Sequence, residues 1–226
     1  MAESTSRPRL AGGPALVFLS AVCLVLLFGG VAVGVALGGV MPLPYGPATA
    51  VQNYVRAHPV AIQVIAVGVF GSSMPLALYA STATARLRQL GASAPAATTA
   101  LTGGTLAAGA LALTALLGWT LSRPEVSTDT ALVPALYYLV FLVGGPGHLV
   151  ALGLLVGGMA LSGVRVGLLP KPAAWAGLVI ATLAELTTLV LIWPGLGVIL
   201  PIARVSALLW LVVAGAMMPV DRGARR

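Results

Sequence analysis

Six apolar runs, each long enough to cross a bilayer (about 20 residues), follow one another between short loops and constrain this chain more than any other feature. Hydrocarbon offers no water to backbone N–H and C=O groups, so each run must satisfy its own, which a helix does. The expected fold class is therefore all-α: one polytopic transmembrane domain with helices over about 15–40, 60–80, 96–121, 130–162, 173–193 and 197–218, and tails at 1–13 and 219–226. The first run exceeds the ~7–15-residue core of a cleaved signal peptide and is expected to be retained.

Composition agrees. The chain is 59% hydrophobic and 8% charged, with a mean hydropathy of +1.04, whereas a soluble domain carries about a quarter charged residues. A net charge of +7 would point to nucleic acid in a soluble protein, but here the basic residues sit in short loops and tails and read as topology signals. The bilayer is the expected partner, and nucleic acid is not. Six crossings place Arg86, Arg88, Arg165, Lys171 and both tails on one side, with nine of the twelve basic residues. The positive-inside rule makes that side cytoplasmic. Arg56 and Arg123 fall opposite, and Arg204 falls inside the membrane.

Several local patterns have packing explanations. Gly30, Gly34 and Gly38 form a small-xxx-small stripe that lets another helix approach, in this chain or in a second copy. Residues 41–59 are Pro-rich and end in an amphipathic stretch whose Val51, Tyr54 and Val55 share a face, as in a helix lying at the membrane surface. His58 at its end reads as a solvated side chain. Pro75 predicts a kink in the second span. Cys23 has no second thiol, so neither a disulfide nor a thiolate metal site is available.

The fourth run is irregular: Tyr137-Tyr138 leads into Gly144-Gly145-Pro146-Gly147-His148. One crossing broken or kinked at Gly144–Gly147 is the simplest account, and a re-entrant pair is the alternative. The last two runs form a hairpin around Pro194-Gly195-Leu196-Gly197 with one ionisable residue in each arm. Glu185 lies ten residues before Gly195 and Arg204 nine after it, so a helical rise places both about 15 Å below the turn. His148 reaches a similar depth by the same arithmetic about Gly167. An ionisable residue at that depth is costly and marks a candidate functional site.

The candidate substrate or proton site is therefore Glu185, Arg204 and His148, extended by Thr182 and Thr188 one turn either side of Glu185 and by Tyr137 beside the helix break. Two readings are open. Glu185 and Arg204 form a structural ion pair that His148 supports, or the three line a polar cavity where Arg204 holds an anionic or polar group and Glu185 or His148 exchanges protons. No phosphate-binding loop, His-Glu-x-x-His or nucleophile elbow is present, so an enzyme is not expected. Two histidines at different depths, one intramembrane acid and one thiol leave too few ligands for a metal or haem, and no cofactor is expected.

Pro75-Leu76-Ala77-Leu78-Tyr79 with Arg86-Leu87, and Gly153-Leu154-Leu155 running to Gly167-Leu168-Leu169-Pro170 and Trp175-Ala176-Gly177, resemble a family of six-helix bacterial membrane proteins of unknown function. The likeness covers helices 2 to 6. It implies a bacterial inner-membrane location, with no established reaction and no functional residue to carry over. The expected roles are binding or transport of a small molecule or proton, or a non-transporting structural or interaction subunit.

Overall fold

The structure is a computed structural model describing residues 15–219. Six helices are long and apolar enough to cross a membrane: Leu16–Gly38, Pro59–Gln89, Ala94–Leu121, Leu132–Val166, Lys171–Leu191 and Pro194–Met217. No strand occurs among the described residues, and the protein is an all-α, multi-pass membrane protein. The expected tails, Pro219 apart, lie outside the described residues. The helices are α1 (Leu16–Gly38), α2 (Ala48–Ala57), α3 (Pro59–Gln89), α4 (Ala94–Leu121), α5 (Pro124–Ser127), α6 (Leu132–Leu142), α7 (His148–Val166), α8 (Lys171–Leu186) and α9 (Ile199–Met217).

The second span runs to Gln89, well past its expected end near residue 80. The reason is a buried stripe at helical spacing, Leu76, Tyr79, Ala80, Ala83 and Leu87, which keeps one face packed beyond the apolar run. Arg86 and Arg88 in the last turn complement the negative helix end. Gly91, at φ 87°, makes the left-handed turn that leads to α4. Pro75 sits inside α3, where it frees the Gly71 carbonyl. Beside it the Ser72 and Ser73 hydroxyls donate to the Val69 and Phe70 carbonyls at 2.7 and 2.6 Å.

The fourth span is a single crossing, not a re-entrant pair. Between α6 and α7 the chain widens into a π-turn over Val143–Gly147, flanked by right-handed helical angles at Leu142 (φ −69°, ψ −43°) and His148 (φ −66°, ψ −42°). Pro146 supplies the cause: it has no N–H for the Leu142 carbonyl, and a one-residue bulge absorbs the misfit. The fifth span also departs from a plain helix. α8 ends at Leu186 and tightens into a 3-10 turn over Thr187–Leu191, where the Thr187 hydroxyl donates back to the Ala184 carbonyl at 2.6 Å.

α4 and α7 occupy the middle of the bundle. α3 packs on α1 and α4, α7 on α4 and α8, and α9 closes between α1 and α8. Small residues permit the closest approaches: a Cβ on Gly103 would lie 2.5 Å from the Leu155 nitrogen, and one on Gly158 2.7 Å from the Ala96 carbonyl oxygen. The α1 stripe is used in the same way within the chain, with Gly30 against Gly68, Gly34 against Ile65 and Gly38 against Ala61 of α3. α9 is tied by two cross-links, Tyr79 Oη donating to the Leu211 carbonyl at 2.7 Å and Trp210 Nε1 to the Ala173 carbonyl at 2.8 Å.

The amphipathic α2 turns its apolar face onto the protein. Val51, Tyr54 and Val55 join Ile62, Leu121, Val133 and Tyr137 in a small second core. Its polar face reaches the loop after α4: Gln52 Nε2 donates to the Thr130 carbonyl at 2.8 Å, and the Arg56 guanidinium to the Ser127 and Thr128 carbonyls at 3.1 Å each. α2 thus caps one end of the bundle. His58 follows it directly, its ring 5.1 Å from that of Tyr54.

Candidate functional site

A partly open cavity of about 740 Å³ lies at the capped end. Its walls come from five of the six spans and the first loop: Leu27 and Val31 of α1, Ile65 and Val69 of α3, Leu111 and Thr114 of α4, the π-turn glycines, and the turn leading into α9. That volume falls in the range of small-molecule pockets, about 300–1,000 Å³. The loop over its mouth is held by Tyr54 Oη on the Gly39 carbonyl at 3.2 Å and Tyr137 Oη on the Pro42 carbonyl at 2.6 Å. Tyr45 reaches in from this loop, edge-on to Tyr138 at 5.9 Å and Phe141 at 5.3 Å. Desolvation, with Tyr138 adding to it, raises the Tyr45 phenol above its ordinary range, so it stays neutral at physiological pH.

Among the described residues one charged side chain lines the cavity, that of Arg204. It sits near the start of α9, and its Nη2 donates to the Gly144 carbonyl in the π-turn. Nε is buried with no partner. Nη1 makes no hydrogen bond among the described residues. Among the described residues no carboxylate lines the cavity. The site is a cation with spare donors set in apolar walls.

The structure separates the residues that equal depth had grouped. Glu185 packs on α7 lower down, its Oε1 3.0 Å from where a Cβ on Gly153 would stand, while Arg204 bonds Gly144. Those glycines are nine residues apart on one span, a rise of about 13 Å. Among the described residues no ion pair joins Glu185 to Arg204. The arithmetic failed because the turn between the arms is not helical over its whole length and because the arginine side chain extends toward the π-turn. Glu185 and Thr182 of α8 and Thr188 of the 3-10 turn after it are all exposed, and Thr182 Oγ1 donates to its own helix at the Leu178 carbonyl, 2.9 Å away.

His148 is fully buried and does not line the cavity. Its Nδ1 lies 3.0 Å from the Ala107 carbonyl of α4. A carbonyl only accepts, so Nδ1 carries the proton, and Nε2 is left without a partner. His148 is thus a clamp between α7 and α4. Tyr137 serves the mouth loop rather than the cavity wall. Of the six sequence-based candidates, Arg204 alone lines the cavity. Sequence reasoning missed Thr114 and Tyr45, which carry no signal beyond being one of several threonines in an Ala-rich helix and one aromatic in a Pro-rich loop.

No protein family, no curated protein and no solved structure matches this chain.

Proposed function

We propose that this protein binds a small, largely apolar molecule in the cavity beneath Tyr45, as the ligand-binding or transporting component of a bacterial inner membrane. The supporting observation is the pairing of a ligand-sized, open apolar cavity with one cation at its wall. A packing defect would leave apolar walls only, and apolar packing would favour filling it. Both termini are cytoplasmic on this reading, so the cavity opens at the side away from the basic loops.

The test is photolabelling in lipid nanodiscs with a neutral diazirine-bearing hexadecanol. The expected label falls on the cavity wall, in segments containing Thr114, Val140–Gly145 and Pro194–Pro201, and is lost in Thr114→Trp, which fills the space. Label spread evenly over the lipid-facing sides of α1 and α8, unchanged by that substitution, would reject the reading.

A second reading, an interaction subunit, draws on Glu185. An acid within the span, exposed and with no ion-pair partner among the described residues, is costly in lipid and would be relieved by a donor from another chain. Glu185→Leu would then abolish co-purification of that chain and leave hexadecanol labelling intact.

A further inference from the structure

We infer that the cavity selects an amphiphilic anion, an acyl chain ending in an acidic head, and that the head docks on Arg204. The inference rests on the binding reading above and adds the ligand's charge. Three observations carry it. First, Arg204 lines the cavity and has five N–H donors, of which, among the described residues, only Nη2 makes a hydrogen bond while Nε is buried without a partner. Secondly, among the described residues no acid lines the site, and a desolvated charge without a counter-charge is strongly unfavourable. Of the chain's five acids, only Glu185 lies in a membrane span, and it packs at Gly153, nine residues along the fourth span from the Gly144 that Arg204 holds, a rise of about 13 Å. The missing negative charge must therefore come from the occupant.

Thirdly, the rest of the wall is apolar apart from the Thr114 and Tyr45 hydroxyls, and α1 and the turn into α9 both contribute to it. These two helices meet at their far ends, where Gly215 abuts Leu16, and at this end Val31 and Val198 flank the cavity with their side chains exposed. An apolar tail fits that wall and has a path from the bilayer, which an inorganic anion would not need. Binding also has a structural consequence. An acidic head competes with the Gly144 carbonyl for the guanidinium, so occupancy is felt at the π-turn and through it by α6 and α7.

The experiment compares diazirine-bearing hexadecanoate with hexadecanol on the full chain in phosphatidylcholine nanodiscs, at an alkaline pH that ionises the carboxyl head. A charge-assisted bidentate contact predicts cavity labelling by the carboxylate about tenfold above the alcohol at equal concentration. In Arg204→Gln that preference falls to about one, while the alcohol still labels the cavity and so reports an intact fold. Arg204→Lys keeps the preference in part. Acetate, a head without a tail, does not compete. Phosphatidylglycerol in the disc distinguishes the source: competition assigns the head to a bilayer lipid, and its absence assigns a free acid.

Equal labelling by acid and alcohol in the unaltered protein overturns the inference while leaving the binding reading in place, and so does a preference that survives Arg204→Gln. Absence of cavity labelling by either probe overturns the binding reading itself. If Arg204→Gln does not fold, the acid-to-alcohol ratio on the unaltered protein decides alone.

Discussion

Arg204 and His148 both place nitrogen atoms in the bundle without partners, yet their surroundings give them different work. Arg204 adjoins open space and can recruit an anion. His148 is enclosed between helices, so its use is to hold α7 on α4 through Ala107. His148→Leu should therefore lower stability by about 0.5–1.5 kcal/mol for the lost hydrogen bond. It should leave the hexadecanoate-to-hexadecanol ratio unchanged, which a melting curve and the labelling assay check together. Asp129 offers a residue-scale test outside the membrane. Its Oδ1 accepts the Ala131 and Leu132 N–H groups at 2.8 and 2.9 Å, and these bonds, Leu132 first, lower the carboxyl's pKa. A group with a depressed folded pKa stabilises above its unfolded value, about 3.9, and loses that contribution as pH falls through the folded value. Asp129→Ala should melt below the parent at neutral pH, and the gap should close as the pH drops into that acid window.

α4 and α7 approach closely in the middle of the bundle at Gly103 and Gly158, and α4 supplies its own control. Gly103→Ala would press a methyl against Leu155 backbone, an overpacking that typically costs about 1–3 kcal/mol. Gly109 on the same helix is exposed with nothing within 4 Å of a new Cβ, so Gly109→Ala should be neutral or gain about 0.5–1 kcal/mol from helix propensity. Opposite shifts in melting temperature for two Gly→Ala changes six residues apart would locate the close approach. Neither could have been assigned from the chain alone. Length and apolarity made the crossings legible, and Pro146 among glycines marked the irregular turn. The rotation of each helix was not legible, since lipid and protein interior both accept Leu and Val and a membrane helix need not show a polar face. That is why Gly30 could be seen as a packing position but its partner Gly68 could not. It is also why equal spacing from the turn grouped Glu185 with Arg204, although the two side chains contact the fourth span at Gly153 and Gly144.

At the scale of the whole molecule, charge and cavity lie at opposite ends. Arg86, Arg88, Arg165 and Lys171 cluster at the ends where α3 meets α4 and α7 meets α8. Tyr45 and the Pro194–Val198 turn border the cavity at the other end. If the basic end is cytoplasmic, ligand reaches the cavity from the outer leaflet or the space beyond it. The orientation can be tested in intact cells with a membrane-impermeant maleimide, because Cys23 is buried and Cys23→Ala removes the background thiol. Thr128, exposed in the loop that α2 grips, and Ser93, exposed in the turn between α3 and α4, lie at opposite ends of one span. Thr128→Cys should label in intact cells, and Ser93→Cys only after lysis. The reverse pattern would place the cavity mouth in the cytoplasm and make an inner-leaflet lipid or a cytosolic acid the ligand source. The two cysteines thus fix which leaflet must be loaded with hexadecanoate for Arg204 to meet it.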